Sequence, residues 1–185
     1  MVVTAPSGAG KTTLVKHLLG IGSLNLAFSV SACTRPMRDG EVNGKDYYFM
    51  SVDEFRDKIE EGEFVEWEEV YKNRFYGTLK SEMDRLWMNG HNILFDVDVK
   101  GGLSLKQKFT DQAFVLFIQP PSLEVLRQRL EERGTDTPEE IEGRINKAAL
   151  EIKFAGKFDH IIVNDNLDYT FSQAEALVRA FLEGS

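Results

Sequence analysis

The chain has 185 residues, a net charge of −8 and a hydrophobic fraction of 42%, which suits one domain with its own core. No apolar run approaches the roughly 20 residues that cross a bilayer, and the acidic balance argues against binding to a nucleic-acid backbone. Three histidines and one cysteine, Cys33, exclude an intrachain disulfide, argue against a zinc site and suit the reducing cytoplasm.

Short apolar runs alternate with amphipathic segments along the chain, which is typical of an α/β fold. Strands are predicted at residues 1–4, 27–31, 92–97, 113–119 and 160–164. The runs at 92–97 and 113–119 are continuously apolar, as in parallel strands that are covered on both faces. We therefore predict a parallel sheet of about five strands flanked by helices. The first strand is short, which leaves open whether further residues precede it.

Helix starts are marked by apolar spacing and by capping patterns. Leucine and valine spacing predicts a helix over Lys11–Leu19. Capping boxes are predicted at Ser51, Ser81, Thr137 and Thr170, where a hydroxyl residue precedes an acidic or amide residue by three positions. After Thr137, a proline occupies the first helical position, where its missing N–H costs nothing.

Two segments interrupt the α/β pattern. Residues 33–79 are rich in Tyr, Phe, Arg, Glu and Gly, and alternation at 47–50 and 64–67 predicts short strands of a small separate sheet. Residues from about 120 to 147 are Arg-rich and helical in pattern. We predict a single domain whose core comprises 1–32, 80–119 and 148–185, with these two segments as insertions.

A phosphate-binding loop is predicted between the first strand and the first helix. The segment follows the pattern G-x-x-x-x-G-K-[ST], except that Ala5 replaces the first glycine. Gly8 and Gly10 allow successive N–H groups to point at an anion, Lys11 can reach the β- and γ-phosphates of ATP, and the Thr12 hydroxyl can bind Mg²⁺. The predicted ATP-binding residues of this loop are Ala5, Pro6, Ser7, Gly8, Ala9, Gly10, Lys11, Thr12 and Thr13.

Asp96 and Asp98 follow the apolar run of the third predicted strand. An acidic side chain at the carboxyl end of a buried strand lies where α/β proteins place their sites. Asp96 is therefore predicted to hold Mg²⁺, directly or through water. Asp98 lies on the same face if the strand continues, and the alternative is that it caps the following turn.

A series of further motifs closely resembles the guanylate kinases. They are Ser29-Val-Ser-Ala-Cys-Thr-Arg-Pro-Met-Arg38, Glu63-Phe-Val-Glu-Trp67, Tyr76-Gly-Thr78, Asp96-Val-Asp98, Arg129-Leu-Glu-Glu-Arg-Gly134 and Val163-Asn-Asp165. They occur in order, with the spacing of that family, over essentially the whole chain. The resemblance implies a P-loop NTPase-type core with a small mixed-sheet GMP-binding insertion at 33–79 and a helical lid at about 120–147.

The implied reaction transfers the γ-phosphate of ATP to GMP, with Mg²⁺ as the cofactor and without a covalent intermediate or a general base. The planar donor forks of Arg35 and Arg38 suit the GMP phosphate, to which Tyr47 and Tyr76 can add hydroxyl donors. In the family, a carboxylate in the position of Glu66 reads guanine by accepting from N1–H and the 2-amino group. Further GMP contacts that the resemblance implies are Ser31, Thr78 and Asp98.

The lid and the last strand supply the remaining predicted residues. Matching arginines of the family close over ATP, which gives Arg129, Arg133 and Arg144 a catalytic role beside Lys11 and Arg35. Asn164 matches a residue on the adenine side of ATP. No membrane or nucleic-acid partner is expected, whereas homo-oligomerisation and the use of dGMP stay open.

Two other functions remain to be distinguished. The first is a guanylate kinase-like binding module without catalysis, although such modules typically lack a functional phosphate loop and Gly8, Gly10, Lys11 and Thr12 are all present. The second is a related kinase for another phosphorylated acceptor, such as a ribose bisphosphate, which would need no carboxylate like Glu66. Individual residues also have plain structural alternatives: solvated loop arginines, a surface glutamate, core tyrosines and helix-surface ion pairs.

Overall fold

The computed structural model describes residues 1–184. The strands are β1 (Val2–Thr4), β2 (Leu26–Phe28), β3 (Ala32–Cys33), β4 (Tyr48–Phe49), β5 (Phe64–Tyr71), β6 (Arg74–Leu79), β7 (Asn92–Val97), β8 (Val115–Gln119) and β9 (His160–Val163). The helices are α1 (Lys11–Leu19), α2 (Val52–Glu60), α3 (Lys80–Met88), α4 (Val99–Phe109), α5 (Leu123–Arg133), α6 (Pro138–Glu151) and α7 (Leu167–Glu183). Short 3₁₀ helices are formed by Gly22–Leu24, Thr110–Gln112 and Ile152–Lys157.

The larger sheet has five strands in the order β2-β7-β1-β8-β9. The central strand β1 is parallel to both of its neighbours, with Val2 opposite Phe95 of β7 and Val115 of β8. Residues Val115 to Ile118 are completely buried, as expected for a parallel strand covered on both faces. The predicted α/β fold with a parallel sheet of about five strands is confirmed.

The smaller sheet has four strands in the order β4-β3-β6-β5. It is mixed, because β3 is parallel to β4 and antiparallel to β6. Its own apolar cluster centres on the fully buried Phe55 of α2, which stacks on Phe64 at 4.3 Å and on Phe75 at 5.4 Å between ring centroids. This sheet therefore has a separate core, and the predicted small mixed sheet is confirmed.

The chain forms two compact units. The core unit comprises Met1–Leu26 and the residues from Leu94 onward, and the insertion unit comprises Ala27–Ile93. The predicted insertion at 33–79 lies inside the insertion unit, and the Arg-rich segment forms α5 and α6 of the core unit. Their assignment as a GMP-binding region and a lid stays a prediction.

Two of the four predicted capping boxes are correct. Ser51 and Thr137 each accept a hydrogen bond from the backbone N–H of the glutamate three residues later, whose side chain accepts in return. The prediction at Ser81 is wrong, because β6 runs directly into α3, which already begins at Lys80. The prediction at Thr170 is also wrong, because the side chain of Asn166 caps α7 and Thr170 lies inside the helix.

Strand boundaries differ from the prediction where backbone groups have other partners. The predicted strand at 27–31 is observed as Leu26–Phe28, since the N–H of Val30 donates to a carboxylate of α3, 3.0 Å away, and not to a strand neighbour. The strand predicted at 113–119 begins at Val115, after a 3₁₀ turn that ends at Gln112. β7 has the predicted bounds.

No helix within residues 1–184 has both the length and the apolar character needed to span a membrane. Cys33 is fully buried in β3. Burial raises the pKa of its thiol, which keeps the group protonated at neutral pH. A buried, protonated thiol of this kind packs as a small apolar side chain.

Candidate functional site

The phosphate-loop segment connects β1 to α1 and contains two glycines with a left-handed backbone conformation. The φ angles are +90° at Gly8 and +96° at Gly10, a region that other residues rarely adopt. A Cβ atom at Gly8 would lie 2.9 Å from a side-chain carbon of Leu130, and one at Gly10 would lie 2.2 Å from Nδ2 of Asn164. The left-handed backbone therefore favours glycine at both positions, and a Cβ atom at either one would require the neighbouring side chain to move.

Lys11 and Asp96 meet at the start of α1. The Lys11 ammonium forms an ion pair with the Asp96 carboxylate and donates a hydrogen bond to the carbonyl of Val97 at 3.0 Å. About a fifth of each of the two side chains is exposed. Thr12 and Thr13 follow in the first turn of the helix and are exposed. The structure thus brings together the two charged residues that the sequence predicts for a phosphate and Mg²⁺ site.

The residues present fit Mg²⁺. Thr12 and Asp96 offer hydroxyl and carboxylate oxygens, the donors that Mg²⁺ prefers. The Asp96 carboxylate is already paired with a cationic group, the Lys11 ammonium. Among residues 1–184 there is no cluster of three or more His, Cys, Asp or Glu side chains that could hold a metal. Mg²⁺ is usually bound through one or two carboxylates and completes its shell with substrate phosphates and water.

One of the three predicted lid arginines contacts the phosphate loop, and a second contacts Asn164, which follows β9. Arg144 of α6 donates to the hydroxyl of Ser7 at 2.7 Å and to the carboxylate of Asp136 at 2.8 Å. Arg129 of α5 donates to the backbone carbonyl of Asn164 at 2.9 Å. Arg133, the last residue of α5, is exposed. The sequence did not indicate the role of Asp136, which lies in the loop between α5 and α6 and pairs with Arg144 of α6.

Asn164 is buried, and its side chain joins two parts of the core unit by hydrogen bonds. Its side-chain amide donates to the carbonyl of Ala9 at 2.8 Å and accepts from the hydroxyl of Thr170 at 3.1 Å. The side chain is therefore hydrogen-bonded at both ends, to the phosphate loop and to α7. This structural role was not apparent from the sequence, and the predicted contact with the adenine side of ATP stays a prediction.

Asp98 caps α4. Its Oδ1 accepts a hydrogen bond from the N–H of Gly101 at 2.9 Å, which satisfies one of the free donors in the first turn of the helix. The capping alternative is thus observed for one of its oxygens. The GMP contact that the resemblance implies for Asp98 stays a prediction.

Arg35 is held by a glutamate that the sequence analysis did not single out. Both of its terminal nitrogens donate to the two carboxylate oxygens of Glu41, at 2.7 and 2.5 Å. Its guanidinium also lies over the rings of Tyr47, 4.8 Å from the centroid, and Phe49, 5.3 Å away. The hydrogen bonds from Arg35, and then the one from the N–H of Arg38, lower the pKa of Glu41 to about 2. The same pairing raises the pKa of Arg35, which is 8% exposed.

Glu66 and Thr78 form a buried pair on neighbouring strands. The Thr78 hydroxyl donates to Oε1 of Glu66 at 2.8 Å, and the two residues are opposite each other in the β5–β6 ladder. Glu66 is 8% exposed and Thr78 is fully buried. Glu66 is therefore not a surface residue of an acidic strand, in contrast to its exposed neighbour Glu69.

The other predicted GMP residues of the insertion unit lie close in sequence to the Arg35–Glu41 and Glu66–Thr78 pairs. Tyr47 and Tyr76 are half-buried and meet edge to face, with ring centroids 6.1 Å apart. Ser31 is half-buried and precedes β3, whereas Arg38 is exposed and gives its backbone N–H to Glu41 at 2.8 Å. The unit thus holds Arg35 close to Tyr47, and Tyr47 close to Tyr76.

Comparisons with known proteins agree with this geometry. The family model described as guanylate kinase matches residues 1–181. A guanylate kinase of Bacteroides fragilis is 50% identical over 98% of this chain and 89% of its own length. A guanylate kinase of Porphyromonas gingivalis is 48% identical over 98% of this chain and 97% of its own. The crystal structure of guanylate kinase from Anaplasma phagocytophilum superposes with a TM-score of 0.77 at 32% identity, covering 97% of this chain and 83% of that one.

Proposed function

Because the chain belongs to the guanylate kinase family, we propose that it transfers the γ-phosphate of ATP to GMP, giving ADP and GDP. The observation that carries the choice of acceptor is the buried Glu66–Thr78 pair of the insertion unit. A carboxylate held in this way can accept from both N1–H and the 2-amino group of guanine. Adenine has an acceptor at N1 and no 2-amino group, so it would leave the carboxylate poorly paired.

The core unit supplies the proposed site for ATP. The loop from Ala5 to Thr13 presents backbone N–H groups to the phosphates, and the helix that begins at Lys11 adds the positive end of its dipole. The ion pair with Asp96 holds Lys11 at the start of this helix, where the ammonium can reach the β- and γ-phosphates. Mg²⁺, held by Thr12 and Asp96, would neutralise charge on those phosphates.

The insertion unit supplies the proposed site for GMP. Arg35, ordered by Glu41 and by the ring of Tyr47, binds the monophosphate with Arg38 and the two tyrosine hydroxyls. Ser31 and Thr78 add hydroxyl contacts at the base edge. Because the GMP phosphate is an anion and Glu41 already holds Arg35, binding requires Arg35 to share its donors between the two.

The proposed transfer needs no covalent intermediate. An oxygen of the GMP phosphate forms the new P–O bond to the γ-phosphorus, and the bond to the bridging oxygen of ATP breaks, leaving its electron pair on ADP. No general base is needed, because the attacking oxygen carries no proton that must be removed. Lys11, Arg129, Arg133 and Arg144 stabilise the charge that spreads over the moving phosphoryl group.

The test is an acceptor series with the unmodified chain. ADP release from ATP and Mg²⁺ is measured with GMP, dGMP, AMP, CMP, UMP and ribose 1,5-bisphosphate as acceptors, and the product is identified by mass spectrometry. Turnover that depends on a guanine nucleotide and yields its diphosphate is expected. Turnover with the sugar bisphosphate alone would assign another acceptor. No turnover by the folded protein would favour a binding module.

The proposed location is the cytoplasm, which suits a chain whose single cysteine forms no intrachain disulfide. Two further properties are open to direct measurement: the preference between GMP and dGMP, and the oligomeric state. The dGMP arm of the acceptor series addresses the first, and sedimentation velocity addresses the second.

A further inference from the structure

A second buried carboxylate lies in the insertion unit, apart from the residues already assigned to GMP. Glu82 of α3 is 2% exposed and accepts hydrogen bonds at both oxygens. Oε1 accepts from the backbone N–H of Val30 at 3.0 Å and from Arg85 at 2.9 Å. Oε2 accepts from the hydroxyl of Tyr48 and from a second nitrogen of Arg85, both at 2.9 Å.

This environment keeps Glu82 ionised. Burial raises the pKa of the carboxyl, but the hydrogen bonds from Arg85, Val30 and Tyr48 together outweigh burial and leave the pKa below its usual range. Arg85 is half exposed, so its charge compensates the carboxylate from the solvent side. With two donors at each oxygen, the group is suited to holding protein segments in place and not to binding a ligand.

The two segments that Glu82 holds are those that carry predicted GMP contacts. Val30 directly precedes Ser31, and Tyr48 directly follows Tyr47. The segments also join each other, because the N–H of Tyr48 donates to the carbonyl of Ser31 at 2.9 Å, just before the parallel pairing of β3 with β4. One carboxylate therefore connects the start of this pairing to α3.

We propose that Glu82 is a positioning residue for GMP, which aligns the Ser31 and Tyr47 side chains by holding Val30 and Tyr48. Without it, the Val30 N–H would be buried without its acceptor, and the chain on either side would shift to satisfy it. Such a shift would move Ser31, the proposed contact to the base edge of GMP, relative to Tyr47, the proposed contact to its phosphate. Loss of Glu82 should therefore weaken the binding of GMP and leave the binding of ATP unchanged. This inference rests on the proposed function.

The experiment compares Glu82→Gln and Tyr48→Phe with Glu63→Gln as a matched control. The amide of the first variant has only one acceptor oxygen, so it cannot serve the four donors. The second variant removes one hydroxyl and keeps the ring. The control removes the charge of an exposed glutamate of the same unit, which pairs with Lys58 at 2.6 Å. Circular dichroism establishes that each variant is folded, calorimetry gives the Kd for GMP, and steady-state kinetics give KM for GMP and for ATP.

We expect KM and Kd for GMP to rise about tenfold in Glu82→Gln and about threefold in Tyr48→Phe, with KM for ATP unchanged and the control unaffected. GMP values within twofold of the unmodified chain in both variants would overturn the proposal, as would equal increases for GMP and ATP. If Glu82→Gln does not fold, Tyr48→Phe decides between these outcomes. If the unmodified chain neither binds nor phosphorylates GMP, it is the proposed function that fails.

Discussion

The two units of this protein differ in how they place charge. In the insertion unit, three charged side chains are at most 8% exposed: Arg35, Glu66 and Glu82. In the core unit, as far as residue 184, the polar residues that are buried as a whole are uncharged: Thr4, Asn164 and Thr170. One carboxylate side chain of this unit, that of Asp136, is also 8% exposed, and it is paired with Arg144. The ion pair at the phosphate loop of the core unit, Lys11 with Asp96, keeps about a fifth of each side chain in solvent.

The difference follows from what each unit is proposed to bind. A triphosphate can be held by backbone N–H groups at a helix start, which local chain geometry provides without burying a charge. A base edge has to be read by side chains in fixed positions, away from competing water, and a buried charge is tolerated only with partners. Recognition of GMP by the insertion unit should therefore depend on the residues that hold its buried charges, such as Thr78 and Glu41. Binding of phosphates by the core unit should not depend on residues of this kind.

The largest expected effect comes from Lys11→Ala, which tests the core unit. Loss of the ammonium should lower kcat by about 10³-fold, because the charge acts on the moving phosphoryl group. Thermal stability should change little, since a partly exposed ion pair contributes at most about 1 kcal/mol. Kinetics and a melting curve check both parts, with Lys16→Ala on the same helix as the control. A variant that retains a tenth of the activity would contradict the assigned role.

Glu66→Gln should have the next largest effect and tests recognition by the insertion unit. The amide can no longer accept from both guanine donors, so kcat/KM for GMP should fall about 100-fold, while activity with AMP should not fall in proportion. The ratio of the two specificity constants is the measurement. The exposed Glu61→Gln provides the control. An unchanged preference for GMP over AMP would show that guanine is read elsewhere.

Glu41 should give the insertion unit a distinct dependence of stability on pH. The pKa of Glu41 is lowered from 4.5 to about 2 by Arg35. A lowered pKa stabilises the folded state fully above about pH 4.5, and this stabilisation is lost as the pH falls towards 2.

The corresponding measurement is the Tm of the unmodified chain and of Glu41→Gln between pH 2 and 6. The unmodified chain should be the more stable one above pH 4.5, and the two curves should converge near pH 2. Asp39→Asn, in the same loop, should run parallel to the unmodified chain. A Tm difference for Glu41→Gln that is constant across this range would mean that Glu41 is not held in this way.

The smallest effect is expected from Thr137→Ala, which tests a purely local feature of the core unit. Loss of the cap at the start of α6 should cost about 1 kcal/mol of folding free energy, or about 2–4 °C in Tm. The preference for GMP over AMP should be unchanged. The exposed Thr135→Ala should leave the Tm unaltered. A larger change in acceptor preference than in stability would contradict the proposed separation of the two units.

Local sequence patterns predicted the first and last residues of some elements correctly. The helix Lys11–Leu19 and the strand Asn92–Val97 have the predicted bounds, because their apolar periodicity and flanking residues agree. The predicted caps at Ser51 and Thr137 are also observed, but the pattern at Ser81 is not a cap. A capping box is defined by two residues three positions apart, and it does not reveal that a strand runs directly into the helix.

The sequence by itself determined the alternation of strands and helices in the core unit, the glycines of the phosphate loop and the residue types of a nucleotide site. These depend on neighbours within a few positions, where backbone sterics and periodicity act. Only the tertiary structure decided which charges are buried and what holds them. Glu82 meets Val30 and Tyr48 across 52 and 34 residues, and Asn164 meets Ala9 across 155. Such pairings satisfy buried donors and acceptors that become neighbours only when the chain folds.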